Sequence, residues 1–224
     1  MAGTGTVTDD GSPRPAPAIR PKEAPMTEAV RRHARVDLSD IDYPGVLYRV
    51  TAANQRVPSA PRPIRYLVIH ITGGPAMDEG ATINTFASGP ASAHYLVNRT
   101  GQVIQFVRDA HIANHVDRLN SRTNLESIGI EHVNPWNHET RLTPTDAQYR
   151  ASARLAAWLC ARHGIPRVHN TARHEPGIRG HIEEQPHSGH TACPNAAWDW
   201  DRYMSMVQRE VVPSFDELIR ELAR

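Results

Sequence analysis

The sequence predicts an α/β fold: one domain with a central mixed β-sheet flanked by helices. Three observations predict it. Short apolar, β-branched runs of strand length alternate with stretches of helical periodicity. Two of the strand-like runs bracket Arg99-Thr100-Gly101 closely enough to form a hairpin. The 224 residues suffice for one core and are too few for two large ones.

Taken in order, residues Met1 to Pro25 are Gly, Thr, Pro, Ala and Asp with almost no large apolar side chain, and read as a disordered leader. The main unit is expected over residues 26–212. Thr27 to Arg35 suits a short helix, and Ile41 to Tyr48, where Pro44 and Gly45 interrupt apolar residues, suits an ordered strap laid over the domain. The core begins at Arg65-Tyr66-Leu67-Val68-Ile69-His70-Ile71, bounded by Pro63 and Gly73-Gly74, a strand buried on both faces with His70 at its end. A helix over Ala81 to Ala87 follows, then the hairpin strands Ser92 to Asn98 and Gln102 to Val107, then the short strand Ser127 to Val133 carrying Glu131 near its end.

Thr143-Pro144-Thr145-Asp146 supplies an N-cap, a proline at the first helical position and an acid in the first turn. The helix it opens has the stripe Ala151, Leu155, Trp158, Leu159 and stops at Gly164 and Pro166. Asp199 to Val212 reads as another helix, and Ser214 with Glu217 opens a C-terminal helix within residues 213–224.

Composition narrows the function. Lys plus Arg number 25 against 24 Asp plus Glu, a formal charge of +1, so no broad basic surface exists for nucleic acid. No apolar run is long enough to span a bilayer, and the N-terminus lacks the pattern of a secretory signal peptide. The expectation is a monomer that is cytoplasmic until released or exported by another route. Cys160 lies on an apolar helix face and Cys193 in a loop, contexts that argue against a disulfide.

Three features carry chemistry in combination. His70 at a buried strand end would alone be a hydrogen-bonded rim residue, Glu131 alone a sheet-edge cap, and Cys193 alone a buried loop thiol. Together with His181 they supply two imidazoles and one thiolate, the count a catalytic Zn2+ uses while leaving its fourth position to water. The segment from His181 to Cys193 contains Pro186, Ser188 and Gly189 and can fold back on itself. Water on such an ion becomes a usable nucleophile near neutral pH, and Glu131 is placed to move its proton. His174 and His187 are close enough in sequence to compete for the metal, which would close the site into a structural one. His94 is expected to pack beneath the site, and His33, His132, His138, His163 and His169 to be surface or packing residues.

The chain resembles the type-2 N-acetylmuramoyl-L-alanine amidases, a family that includes phage lysozyme-like endolysins and peptidoglycan recognition proteins. The resemblance spans roughly Tyr43 to Tyr203. It rests on Val68-Ile69-His70, Ser92-Ala93-His94-Tyr95, Ile112-Ala113-Asn114-His115, Ser127-Ile128-Gly129-Ile130-Glu131, Gly180-His181, Thr191-Ala192-Cys193-Pro194 and Trp198-Asp199-Trp200, in that order. It implies a peptidoglycan-recognition-protein-like fold, a peptidoglycan or muropeptide substrate, Zn2+ on His70, His181 and Cys193, and Glu131 as the catalytic acid/base. Thr191, two residues before the third ligand, or its neighbour His190, would steady the oxyanion. His115 matches a histidine of a segment lining the substrate groove; Asn114 beside it stands where the family more often has an aromatic residue. Against hydrolysis of the wall polymer stand a non-catalytic peptidoglycan-binding module, which typically lacks the third ligand, and a cytoplasmic muropeptide-recycling amidase. A structural zinc domain is the unrelated alternative.

Overall fold

The computed structural model describes residues 41–74, 76–116, 121–134, 142–184, 192–194 and 196–213. The expected leader and the helices over Thr27 to Arg35 and Ser214 to Arg224 lie outside these residues. In chain order the elements are β1 (Val46–Arg49), β2 (Gln55–Arg56), β3 (Tyr66–Ile69), α1 (Gly80–Ser88), β4 (Tyr95–Val97), β5 (Val103–Gln105), β6 (Ile112–Ala113), α2 (Arg122–Glu126), β7 (Ser127–His132), α3 (Asp146–His163), β8 (Gly177–Gly180) and α4 (Trp200–Arg209).

Six strands form one sheet in the order β1-β5-β4-β7-β3-β8. β3 runs parallel to both neighbours, β7 and β8, and β4 runs parallel to β7, while the β4/β5 hairpin is antiparallel. The sheet is therefore mixed, as expected. All four β3 side chains are buried, because the strand lies inside the sheet and is covered on both faces. One face carries Leu67, Ile69, Ile128, Ile130 and Ile178, packed against Tyr149, Leu155, Leu159 and Tyr203 from α3 and α4. The alternate residues of the same strands, Tyr66, Val68 and His70 on β3 and its end, turn to the other face.

The strap is in part a strand. Its second half is β1, the sheet edge, paired parallel with β5 through Val46 to Val103 and Tyr48 to Ile104. Pro44 and Gly45 end at the strand's start rather than breaking it, and Asp42 fixes the approach by accepting from Gln105 Nε2 at 2.6 Å and from the Asp109 backbone N–H at 3.0 Å.

The long helix starts two residues later than its sequence signal. Thr145 is the N-cap: its Oγ1 accepts from Gln148 N–H at 3.1 Å and its hydroxyl donates to the Arg99 carbonyl at 2.6 Å, so Pro144 precedes the cap. The C-terminal end is at Gly164, which takes the left-handed conformation (φ 67) that ends a helix without a Cβ clash.

Candidate active site

Strand register brings the chemistry together. Ile69 is paired with Ile130 on one side and Gly180 on the other, so the next residues of the three parallel strands, His70, Glu131 and His181, stand in one row at their carboxyl ends. This is where α/β sheets open a crevice to ligands. His181 begins a 3-10 turn, His181–Glu184, directly after β8. Cys193 enters the row from the far side of the loop: its carbonyl accepts from Ile182 N–H at 2.5 Å, and its Sγ accepts from Ile71 N–H at 3.3 Å. Gly180 makes this approach possible, since a Cβ there would lie 2.7 Å from Pro194 Cδ.

His70, His181 and Cys193 each offer a donor atom within 4.8 Å of the others. They are the one such group among the described residues, and are 1%, 4% and 8% exposed. His70 Nδ1 is 3.1 Å from His181 Nδ1 and 3.8 Å from Cys193 Sγ. A tetrahedral ion with bonds of about 2.0–2.1 Å to nitrogen and about 2.3 Å to sulfur needs its ligand atoms roughly 3.3–3.6 Å apart. The donor set and its spacing therefore fit a small borderline-soft cation such as Zn2+. Burial, and then the charge of Glu131, push the Cys193 thiol well above its usual range, so the metal-free sulfur is protonated. His174, a possible fourth ligand by sequence, lies instead against Tyr66, with its Nδ1 3.4 Å from the phenol oxygen.

Glu131 faces a cavity of about 420 Å³ whose lining includes His70, His181, Cys193, Thr72, Ser92, Asn114 and His115. Its Oε2 is buried and makes no hydrogen bond to the described residues. Burial alone pushes its pKa up to about 8, from an ordinary 4.5. An acid held in this way is suited to exchanging protons near neutral pH. Thr191 and His190 lie outside the described residues. Asn114 and His115 reach the cavity wall, where Asn114 is fixed by donating from Nδ2 to the Pro90 carbonyl at 2.8 Å.

Several supports of this row carry no sequence signal of their own. His132 turns to the sheet face opposite Glu131, with Nδ1 2.8 Å from the His70 carbonyl and Nε2 2.7 Å from Ser152 Oγ, which in turn lies 3.0 Å from the Tyr203 hydroxyl. Burial pushes its pKa down to about 4. The turn carrying His181 is pinned by two acids. Glu183 accepts from Gly180 N–H at 2.6 Å, and Glu184 accepts from Arg179 Nη1 at 3.2 Å and Thr123 Oγ1 at 3.1 Å. Arg179 is fully buried and lies over the Tyr66 ring at 4.4 Å. Arg62, also buried, donates to the carbonyls of Asp109 and Ser127 at 2.7 and 2.8 Å and stands 2.9 Å from His94 Nε2. His94 lies beneath the site as expected, accepting from Gly129 N–H at 3.0 Å, and burial followed by the Arg62 charge holds its pKa well below the ordinary value.

A mixed sheet with its cleft at the ends of parallel strands places a carboxyl beside convergent nitrogen and sulfur donors, an arrangement that can hold a metal ion next to a proton-transfer group. The chain is a member of the N-acetylmuramoyl-L-alanine amidase family (Amidase_2), whose model matches residues 60–196, more than half of the sequence. In fold it is similar to a selenomethionine derivative of AmpD, at 24% identity and a TM-score of 0.53, covering 74% of this chain and 96% of that one. It is also similar to PlyL, at 20% identity and a TM-score of 0.53 over 70% of this chain and 91% of that one. A third similar structure is AMPDH3 from Pseudomonas aeruginosa in complex with anhydromuramic pentapeptide, at 21% identity and a TM-score of 0.51, covering 82% and 78%. No curated protein matches the sequence.

Proposed function

We propose that this chain hydrolyses, with Zn2+, the amide joining the lactyl group of N-acetylmuramic acid to the first L-alanine of the peptidoglycan stem peptide. The reading rests on the convergence of His70, His181 and Cys193 beside a carboxyl oxygen of Glu131 that has no hydrogen-bond partner among the described residues. Family membership supplies the bond. The muropeptide bound by AMPDH3, a protein of similar fold, supports the substrate class.

His70 and His181, through Nδ1, and the Cys193 thiolate would hold the ion. When bound, Zn2+ polarises the amide carbonyl and lowers the pKa of water, which makes hydrolysis feasible near neutral pH. Beside a cation the Glu131 carboxyl regains its charged form. It then takes the proton from the attacking water and delivers it to the departing alanine nitrogen. Thr191, or His190 beside it, donates to the oxygen on which charge develops. Asn114 and His115 border the cavity where the substrate lies.

Incubation of zinc-loaded protein with purified sacculi, followed by mass spectrometry of the soluble and insoluble products, tests the bond. The expected products are a free muramyl carboxylate and a free alanine amine. New reducing sugar ends or cleaved peptide bonds further along the stem would overturn the assignment. Release from intact walls, rather than from soluble anhydro-muropeptides alone, identifies the polymer as the substrate.

A further inference from the structure

His115 approaches the ligand row from behind, and its contacts give it a second task. Its Nδ1 lies 3.0 Å from His70 Nε2, the ring nitrogen that points away from His181 and Cys193. Its Nε2 lies 3.1 Å from Ser127 Oγ, and that hydroxyl donates to the Thr123 carbonyl at 2.6 Å. Each partner has a limited supply of protons, which fixes the direction of the chain. Ser127 has a single hydroxyl proton and directs it to a carbonyl that can only accept, so its oxygen accepts from His115 Nε2–H. A neutral imidazole protonated at Nε2 is an acceptor at Nδ1, so His70 Nε2 must donate to it. His70 Nδ1 is left with its lone pair, on the side where His181 Nδ1 and Cys193 Sγ lie.

We infer that His115 is a positioning residue which, anchored on Ser127, holds His70 in the tautomer and ring orientation that binds a metal through Nδ1. Metal-bound histidines generally donate their second N–H to an acceptor that fixes the ring, more often a carboxylate or carbonyl than a second imidazole. Here the strand beneath is shaped for the imidazole. A Cβ at Gly129 would lie 2.6 Å from His115 Cγ and Nδ1, so the glycine in Ser127-Ile128-Gly129-Ile130-Glu131 opens the space that the ring fills. The backbone N–H groups of His115 and Val116 donate to Asn124 Oδ1 at 3.3 and 2.9 Å, which holds the segment in place.

The inference rests on the reading of His70, His181 and Cys193 as metal ligands, and the test separates the two. Zinc affinity is measured by chelator competition for the full chain and for His115→Leu, His115→Asn and Ser127→Ala, with thermal unfolding of each zinc-free variant as the check on folding. His115→Leu keeps the bulk and removes the acceptor, and is expected to weaken zinc binding by about 10- to 100-fold. His115→Asn keeps an acceptor near the Nδ1 position and retains most of the affinity, while Ser127→Ala, which only frees the His115 ring, weakens binding less than His115→Leu. Nitrogen-15 NMR of the zinc-free wild type is expected to find His70 and His115 both protonated at Nε2. Wild-type affinity in a folded His115→Leu, or a His70 ring protonated at Nδ1, overturns the inference. Failure of the wild type to bind zinc at all would instead overturn the metal reading, and the tautomer measurement would still decide the relay.

Discussion

Glu131 and His132 are consecutive residues of β7 that serve opposite faces of the sheet. Glu131 opens onto the cleft, while His132 is buried beneath α3 and bound to Ser152. The period of two along a strand separates the cleft-facing carboxyl from the packing group without any loop between them. The same alternation places His70 beside Glu131 and turns Ile69 and Ile130 into the core. One short strand thus ties the cleft-facing carboxyl to the buried core.

Replacing Glu131 by Gln removes the proton acceptor at nearly constant shape. Hydrolysis of peptidoglycan is expected to fall by a factor of about 10²–10⁴, the usual contribution of general acid/base catalysis. Zinc content, read by atomic absorption, is expected to stay at the wild-type level. A variant that still lyses walls at the wild-type rate would remove Glu131 from the mechanism.

Cys193 distinguishes metal binding from mere packing. Because its thiol is protonated in the metal-free protein, zinc must displace a proton from it. Calorimetric titration in buffers of different ionisation enthalpy should therefore show proton release on binding, and affinity should rise with pH. In Cys193→Ser the release and most of the affinity are expected to vanish. The buried Cys160, which belongs to the main core cluster and not to the donor group, serves as the control: Cys160→Ala is expected to leave zinc stoichiometry unchanged.

The raised pKa of Glu131 makes the metal-free protein pH-sensitive in a stated direction. The folded carboxyl titrates near 8 and the unfolded one near 4.5, so the folded state keeps a proton that the unfolded state releases. Its contribution is fully present below pH 4.5 and is lost as pH rises toward 8, by at most about 1.4 kcal/mol per pH unit. His132 acts in the opposite sense: with its folded pKa pushed down to about 4, its contribution is present above the ordinary 6.5 and is lost as pH falls. Denaturant unfolding of zinc-free wild type and Glu131→Gln across this range isolates the Glu131 share. The wild type should lose stability relative to the variant as pH rises, and parallel curves would contradict the burial argument.

Glu184 anchors the turn that carries His181. Its carboxylate meets Arg179 Nη1 and Arg173 Nε, each at 3.2 Å, and the Arg179 side chain is fully buried. Glu184→Ala leaves that guanidinium without its charge partner, a change expected to cost about 3–5 kcal/mol of stability by urea unfolding. A loss below about 1 kcal/mol, the range of exposed ion pairs, would show that the pair is not a structural anchor.

Much of this was legible in the sequence, for local reasons. The apolar β-branched run ending at His70, the hairpin around Gly101 and the stop of α3 at Gly164 each depend on a few adjacent residues, and each stands where expected. Elements whose cause is distant were missed. β8 is Gly-Ile-Arg-Gly, with no strand composition of its own, and Arg179 is buried only because Tyr66 and Glu184, on other elements, receive it. The two-residue β2 and β6 and the five-residue α2 are too short to show periodicity. At the site, His70 and Glu131 were readable from strand ends, whereas His181 and Cys193 were read from the segments Gly180-His181 and Thr191-Ala192-Cys193-Pro194. The contact of His115 with His70, 45 residues apart, required knowing that the segment after β6 lays the His115 ring over Gly129 of β7, the strand beside β3.

Titration of zinc into metal-stripped protein, with amide hydrolysis of purified peptidoglycan as the readout, decides whether this chain is a zinc amidase. Turnover is expected to be absent without metal, to rise to full rate at one zinc per chain, and not to rise in His70→Ala. Full activity in the stripped protein, or the same titration curve in His70→Ala, would contradict that assignment.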